Sequence, residues 1–249
     1  MNDSTSLLAR TILDAHHSVP VNALPKEVWI ATEADAYRVQ DFINVELGGV
    51  GGWKVARAPD GIFRCSAIPL HRICKEGEPS PHRVPSRAGI EFEIGVRFRK
   101  TIDLNSLPRK PSDLARLIDR VFPAIEIVNS RFSPELQGTQ HLQLADHQNC
   151  LMILADSAPC ELNLFGALHL TVQIGEERRI VVVEQERLAE IQQSLTWLCE
   201  HALRRGRPIL KSDVVITGAL LGAEPLRFDE DYVVCLNNRH ALTRRFAQY

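Results

Sequence analysis

The glycine pair at 48–49 divides the chain into two parts with different hydrophobic periodicity. Before it, apolar residues recur at helical spacing. After it, short apolar and β-branched runs are separated by proline, glycine and polar turns, a pattern typical of strands. The sequence therefore predicts an α+β fold, in which a helical N-terminal region (1–47) packs on a β-rich domain with a mixed sheet (48–249).

Four helices are predicted. The first covers Ser4–Ala15. The second follows Thr32, which can cap it, with Asp35 three residues later as a variant of the capping box, and the glycine pair ends it. Two more helices are expected within the β-rich domain, at Ser112–Val121 and Leu188–Arg204.

The strands are predicted from runs of apolar and β-branched residues bounded by turns. They are Trp53–Ala56, Ile90–Phe98, Ala124–Val128, Leu151–Leu154, Ala167–Ile174, Arg179–Val183, Asp213–Thr217 and Tyr232–Leu236. The stretch Gly48–Gly52 is interpreted as a helix stop and turn, because no strand precedes it and no helix follows it, as a phosphate-binding loop requires. The polar, proline-rich segment Gly77–Arg87 is expected to be an exposed loop or the base of a lid.

The composition and the net charge limit the classes of partner that we expect for this protein. Hydrophobic residues make up 45% of the 249 residues, charged residues make up 24%, and the formal net charge is −2, so nucleic acid is not an expected partner. The six cysteines are scattered without a C-x-x-C pair, and no apolar run reaches the roughly 18 residues of a membrane span. These features, with no signal-peptide pattern at the N-terminus, predict a cytoplasmic protein without a membrane partner.

Two glutamates share one face of a predicted strand in Ile90-Glu91-Phe92-Glu93-Ile94, because residues two apart in a strand point the same way. Adjacent carboxylates repel each other unless a cation lies between them, and a hard divalent ion such as Mg²⁺ or Mn²⁺ prefers oxygen ligands. The alternative is a solvated strand face with alternating charge.

Glu126 and Lys54 are the other candidates. Glu126 interrupts the apolar run Pro123–Val128, which indicates a buried strand in which a lone carboxylate needs a partner. Lys54 lies in a short apolar strand after a glycine-rich turn, where it would be able to bind a carboxylate or carry a proton. For both residues the alternative is an edge strand with the side chain in water.

Several segments occur in an order and spacing that resemble the 2-keto-4-pentenoate hydratase branch of the fumarylacetoacetate hydrolase family. The resemblance spans roughly residues 30–220. The segments are Ala36-Tyr37-x-Val39-Gln40, Gly52-Trp53-Lys54-Val55, Gly89-Ile90-Glu91-x-Glu93-Ile94, Pro123-Ala124-Ile125-Glu126-Ile127-Val128-Asn129-Ser130-Arg131, Leu144-Ala145-Asp146-x-Gln148 and Asp213-Val214-Val215-x-Thr217-Gly218.

The resemblance implies a mixed β-sandwich roll that holds Mg²⁺ or Mn²⁺ through three carboxylates, here Glu91, Glu93 and Glu126. A glutamate as the third ligand favours the hydratase branch over the hydrolase branch. The implied substrate is a small 2-oxo or 2-hydroxydienoate acid of aromatic-compound catabolism, which reacts through an enolate, and the implied assembly is a homo-oligomer, a dimer or higher. Lys54 would contact the substrate and move a proton. The other implied substrate-binding residues are Arg131, Asp146, Gln148 and Asn149.

The chain also departs from the family pattern. Ala56 stands where glycine is usual, Asn149-Cys150-Leu151 where Ser-Asn-Gly is usual, and Ala219 where Ser or Thr is usual. The Gly-His-Pro segment before the last long helix is replaced by Val183-Glu184-Gln185, and 237–249 lacks the closing strand pattern. The resemblance thus implies that the metal-binding residues match the family pattern, whereas the residues that would distinguish one substrate from another differ from it.

Three hypotheses follow. The first is a metal-dependent lyase, a hydratase or a decarboxylase of an oxalocrotonate-type acid. The second is a hydrolase that cleaves an acylpyruvate C–C bond with His71 or His82 as the lid histidine. The third is a non-catalytic paralogue that binds metal, which the replacements at Leu151 and Ala219 suggest.

Overall fold

The computed structural model describes residues 3–15, 20–75, 77, 83–136, 139–155 and 163–247. The helices in these ranges are α1 (Asp3–Ala15), α2 (Glu33–Glu46), α3 (Leu114–Leu117), α4 (Gln140–Ala145) and α5 (Gln185–Arg204). The strands are β1 (Val50–Arg57), β2 (Phe63–Pro69), β3 (Ile73–Lys75), β4 (Gly89–Phe98), β5 (Ile118–Val128), β6 (Cys150–Ala155), β7 (Leu168–Ile174), β8 (Glu177–Val183), β9 (Val214–Ile216), β10 (Leu221–Pro225), β11 (Asp231–Leu236) and β12 (Arg239–Arg245).

The strands form two sheets that pack face to face. The larger sheet is mixed, and the smaller is antiparallel. The larger has the order β2-β1-β9-β4-β5-β6-β3, with β10 added beside β4, and the smaller has the order β12-β11-β7-β8. The β1–β9 and β3–β6 pairs are parallel, and the other pairs are antiparallel. β11 and β12 contact β5, so the smaller sheet covers one face of the larger. This arrangement confirms the predicted α+β fold with a mixed β-sandwich roll.

The two faces of β4 differ sharply in chemistry. Phe92 points toward the smaller sheet, where its ring centroid lies 6.3 Å from that of Tyr232. On the opposite face, an apolar cluster drawn from four strands, β2, β5, β6 and β9, lines the inside of the roll. Its members include Ile68, Phe122, Ala124, Ile153, Val214 and Ile216. Glu91 and Glu93 point to this second face, because side chains alternate along a strand.

The N-terminal helices pack on the roll. Thr32 caps α2, since its hydroxyl accepts a hydrogen bond from Asp35 N while the Asp35 carboxylate accepts from Thr32 N, so the predicted capping box is confirmed. α2 contacts α1, α4 and β2. The division at residue 47 into a helical region and a catalytic domain stays a prediction. No helix among the described residues is both long enough and apolar enough to span a bilayer.

Some predictions were wrong. The predicted helix Ser112–Val121 ends at Leu117, and strand β5 begins at Ile118, opposite Phe98 of β4. The segment 237–249 lacks the family's closing strand pattern in its sequence, yet it contains β12, which pairs with β11 through a turn. Four strands were not predicted: β2, β3, β10 and β12.

The interpretation of Gly48–Gly52 as a helix stop and turn is correct for its first two glycines only. Gly48 and Gly49 have φ of 83° and 99°, as a helix stop and turn require. Gly51 and Gly52 belong to β1 instead. A Cβ on Gly52 would lie 2.7 Å from the Val214 carbonyl oxygen, so the close approach of β9 requires glycine there. Of the predicted loop Gly77–Arg87, residue 77 and 83–87 lie within the described ranges and 78–82 lie outside them.

Candidate metal centre

Three glutamates from two neighbouring strands converge on one point. Glu91 and Glu126 are directly opposite each other in the β4–β5 pair, and Glu93 is two residues along β4 on the same face. One carboxylate oxygen from each lies within 4.8 Å of the others. Glu93 and Glu126 are fully buried, whereas Glu91 is partly exposed. The structure therefore brings together the three glutamates of the predicted site.

Lys54 supplies the positive charge within this cluster. Its Nζ donates a hydrogen bond to Glu126 Oε1 at 2.9 Å and lies 2.7 Å from Glu126 Oε2 and 3.5 Å from Glu91 Oε2. β1 reaches β4 through β9, since Ile216 lies beside both Lys54 and Gly95. Lys54 is only 7% exposed. It is a buried member of the carboxylate cluster, as predicted, and not a solvated edge residue.

Burial and mutual repulsion perturb the titration of these groups. Burial raises the pKa of Glu93, with the Glu91 charge adding to the shift and Lys54 opposing it. Burial likewise raises the pKa of Glu126 well above its ordinary value, against the opposing charge of Lys54. For Lys54, burial lowers the pKa, but the charges of the three glutamates outweigh it and raise the pKa overall.

The donor set fits a divalent cation. Three carboxylates and one ammonium leave a formal charge of −2 in a buried site. Glu93 Oε1 is buried and accepts no hydrogen bond from the described residues, and the Lys54 ammonium beside Glu126 Oε2 cannot neutralise three carboxylates. Buried anionic oxygens of this kind need a compensating charge. A hard divalent ion with oxygen ligands would supply it.

A backbone amide also orients the cluster. Gly218 N donates a hydrogen bond to Glu93 Oε2 at 2.6 Å. Thr217 Oγ1 donates a hydrogen bond to the Ile94 carbonyl oxygen at 3.0 Å, and this bond links the turn after β9 to β4. The sequence placed Thr217-Gly218 in a family segment but gave no reason to connect its amide to Glu93.

Two of the predicted substrate-binding residues form a buried pair with each other. Arg131 Nε donates to Asp146 Oδ1, and Asp146 Oδ2 accepts from Arg131 N at 2.9 Å and from Ser130 Oγ at 3.1 Å. Arg131 NH1 also bonds the Cys150 carbonyl at 3.1 Å. The pair joins the end of β5 to the start of β6. Its contact with a substrate stays a prediction.

Gln148 and Asn149 lie in an unusual turn beside the site. His147, Gln148 and Asn149 have consecutive φ values of 55°, 52° and 64°, a left-handed turn built without glycine. Gln148 Oε1 accepts a hydrogen bond from Ser66 Oγ at 3.0 Å, and Ser66 lies directly opposite Lys54 in the β1–β2 pair. The substrate-binding role of these residues is likewise a prediction.

Sequence reasoning missed two polar residues that support this turn. Gln40 Nε2 donates to Ser66 Oγ at 3.1 Å and to the Leu144 carbonyl, and Gln40 Oε1 accepts from Ala67 N at 3.2 Å. Gln40 belongs to a family segment in the sequence. Ser66 lies in β2, a strand that the sequence did not predict.

Comparison with solved structures identifies the fold. The chain matches 4-oxalocrotonate decarboxylase from Pseudomonas putida G7, complexed with magnesium and adipate, with a TM-score of 0.80 and 17% identity over 99% of this chain and 98% of that chain. The chain has the fumarylacetoacetate hydrolase fold. A structure assigned to that family, from Yersinia pestis CO92, matches with a TM-score of 0.54 and 17% identity over 79% of this chain and 92% of that chain.

A further match carrying the same fold is 2-hydroxyhepta-2,4-diene-1,7-dioate isomerase from Mycobacterium marinum, with a TM-score of 0.56 and 13% identity over 80% of this chain and 74% of that chain. No family model matches the sequence, and no curated protein matches it. At these identities the likeness establishes the fold alone, and the candidate metal site is inferred from this chain's own carboxylates. The hydratase branch stays a prediction.

Proposed function

We propose that this protein is a divalent-metal-dependent lyase that acts on a small 2-oxo or 2-hydroxydienoate acid. The observation that carries the proposal is the buried cluster of Glu91, Glu93 and Glu126 around Lys54. We further propose that Mg²⁺ or Mn²⁺ is the ion. The magnesium-complexed decarboxylase of the same fold supports magnesium.

Each residue of the cluster has a defined task in this proposal. The three glutamates hold the ion, which would act as a Lewis acid on the 2-oxo group of the substrate. Lys54 holds a proton at Nζ and attracts the substrate carboxylate. Gly218 N fixes the orientation of Glu93. The apolar cluster inside the roll excludes water from the buried side of the glutamates.

Hydration of 2-keto-4-pentenoate, a 2-oxo acid whose enol form is a 2-hydroxydienoate, is the reaction that the sequence resemblance implies. Decarboxylation of an oxalocrotonate-type acid is a second candidate. It is favoured by one observation: the likeness to 4-oxalocrotonate decarboxylase covers 99% of this chain, whereas the likeness to the isomerase covers 80%. Both reactions require the same stabilised enolate, so both fit the same cluster.

The hydrolase hypothesis gains no support from His71. Its Nδ1 lies 3.2 Å from the Leu47 carbonyl oxygen, at the end of α2. The other candidate, His82, lies outside the described residues. The non-catalytic hypothesis stays a prediction based on Leu151 and Ala219. We also propose, from the resemblance alone, that the protein is a cytoplasmic homo-oligomer.

The test is a pair of assays on the purified protein with Mg²⁺. Loss of the dienoate absorbance of the enol form of 2-keto-4-pentenoate reports hydration, and CO₂ release from 4-oxalocrotonate reports decarboxylation. Turnover in either assay should fall at least about 100-fold in Glu126→Gln, because the variant loses a ligand, and remain unchanged in Glu46→Gln, an exposed residue at the end of α2. Turnover that survives metal removal would contradict the proposed function, and metal binding without turnover in either assay would favour the non-catalytic hypothesis.

A further inference from the structure

Arg187 binds the backbone of the turn that follows β9. It lies in the first turn of α5, and its NH2 group, which has two N–H bonds, lies within hydrogen-bonding distance of three successive carbonyl oxygens, those of Thr217 (3.3 Å), Gly218 (3.0 Å) and Ala219 (3.4 Å). Its NH1 group donates to Glu190 Oε1 at 2.6 Å. One guanidinium therefore joins helix α5 to three consecutive peptide groups.

Gly218 is enclosed at this point. It has a φ of +88°, and a Cβ added to it would lie 3.1 Å from Ala56 Cβ and 3.1 Å from Arg187 NH2. A side chain here would be strained at this φ and would require Ala56 or Arg187 to shift. The turn is also fixed to β4, because Thr217 Oγ1 bonds the Ile94 carbonyl and Leu220 N bonds the Phe92 carbonyl. The turn thus has supports other than Arg187.

A single peptide group links Arg187 to Glu93. The Thr217 carbonyl, which accepts from Arg187 NH2, and the Gly218 N–H, which donates to Glu93 Oε2 at 2.6 Å, are the two ends of one peptide unit. A cation bonded to the carbonyl end polarises the unit and strengthens donation from the N–H end. The bonds form a chain from guanidinium to peptide to carboxylate.

We propose that Arg187 is a positioning residue of the metal centre, which acts through the Thr217–Gly218 peptide to orient Glu93. The inference rests on the proposed function in that Glu93 is a metal ligand. The proposal adds Arg187, a residue of α5 that has no direct contact with the three glutamates. Two hydrogen bonds, one at each end of the Thr217–Gly218 peptide, connect it to Glu93. Groups that orient a metal ligand influence metal affinity strongly.

A different role for Arg187 would leave metal binding unchanged. Its ion pair with Glu190, three residues further along α5, is a surface interaction that supports the helix alone. Glu190→Gln removes that pair and leaves the three carbonyl contacts in place. The two roles are therefore separable by mutation.

The experiment measures Mn²⁺ affinity of the full chain by electron paramagnetic resonance, without substrate. Arg187→Met should weaken Mn²⁺ binding about tenfold, and Arg187→Lys should weaken it less, because the lysine ammonium keeps the positive charge and the ability to donate to the carbonyl oxygens. Glu190→Gln and the control Arg204→Met should bind as the wild type does. Arg204 lies on the same helix, in an exposed pair with Glu200.

Hydrogen exchange at the Gly218 amide gives a second readout. It should be faster in the metal-free Arg187 variants than in the wild type, and unchanged in Glu190→Gln. Equal Mn²⁺ affinity in the wild type and both Arg187 variants would overturn the inference and leave the proposed function standing. If Arg187→Met does not fold, the Arg187→Lys affinity decides by the same criterion. A wild type that binds no Mn²⁺ would overturn the proposed function as well.

Discussion

Lys54 contacts two carboxylates, those of Glu91 and Glu126, and Glu126 is fully buried. Removal of its charge leaves Glu126 without a cationic partner among the described residues that contact it, and a buried charge that loses its partner is strongly destabilising. We expect Lys54→Met to lower the free energy of unfolding of the metal-free protein by about 3 kcal/mol at neutral pH.

Turnover should be lost in the same variant, because the group that attracts the substrate carboxylate is missing. Urea denaturation and the two lyase assays check these effects. Lys211→Met is the matched control, since Lys211 is exposed. Wild-type stability in metal-free Lys54→Met would show that the pair with Glu126 contributes nothing to folding.

The pH dependence of stability reports on the same buried carboxylates. The pKa values of Glu93 and Glu126 in the folded protein are raised above the ordinary value of 4.5, first of all by burial. The folded state therefore keeps protons that the unfolded chain releases. This contribution to stability is complete below pH 4.5 and is lost as the pH rises through the raised pKa values.

Glu126→Gln removes one of these titrations. In the presence of a metal chelator, the melting temperature of Glu126→Gln should rise relative to that of the wild type as the pH increases from 5 to 8. Comparison with the wild type cancels the titration of groups outside the cluster. A difference in melting temperature that stays constant over this range would contradict the assignment of raised pKa values to this cluster.

The left-handed turn at 147–149 is an element that local preference does not favour. Single residues other than glycine adopt this conformation at a cost, and asparagine tolerates it best. Asn149 N bonds the Asp146 carbonyl at 3.0 Å, and the Asn149 carbonyl accepts from Asn129 N at 2.8 Å. These bonds, with the buried Arg131–Asp146 pair, hold the turn against its strain.

Substitutions at Asn149 test this account of the turn. Asn149→Gly should leave the free energy of unfolding within about 0.5 kcal/mol of the wild type, whereas Asn149→Val should lower it by about 2 kcal/mol. Asn238→Val is the control, because Asn238 has a φ of 56° in the β11–β12 turn, remote in sequence from the site. Chemical denaturation should show a loss in both valine variants, and turnover should fall only in Asn149→Val. Equal turnover in the two would contradict a link between the turn and the site.

Elements were predictable where local preference and tertiary context agree. Helix α2 has a capping box and a regular apolar face, so its limits followed from the sequence. The segment 112–121 also has helical spacing, yet residues from Ile118 onward pair with β4. Strand pairing over the length of β5 outweighs the weak local helical preference of these few residues.

Two of the missed strands, β3 and β10, are short and depend on their neighbours. β3 has three residues and exists through its parallel pairing with β6. β10 is mostly exposed and pairs irregularly with β4. Neither has an alternating pattern of its own, so only the completed sheet specifies it.

In the whole molecule, the order of the strands in the larger sheet brings the residues of the candidate metal site together. Lys54 comes from β1, two glutamates from β4 and one from β5, and β9, far along the chain, lies between β1 and β4. The sequence predicted which residue types belong together through spacing and family resemblance. It did not reveal the supports from Gln40, Ser66 and Arg187, since their contacts span up to 104 residues and depend on the packing of helices on the roll.

Isothermal titration of the metal-free protein with Mg²⁺, without substrate, tests the central claim most directly. We predict one Mg²⁺ per chain, retention of binding in Glu46→Gln, and an affinity at least about 100-fold weaker in Glu91→Gln, Glu93→Gln and Glu126→Gln. Melting temperatures measured in the same buffers confirm that each variant is folded. Absence of Mg²⁺ binding to the wild type, or unchanged affinity in the three glutamine variants, would contradict the claim that these glutamates form a metal site.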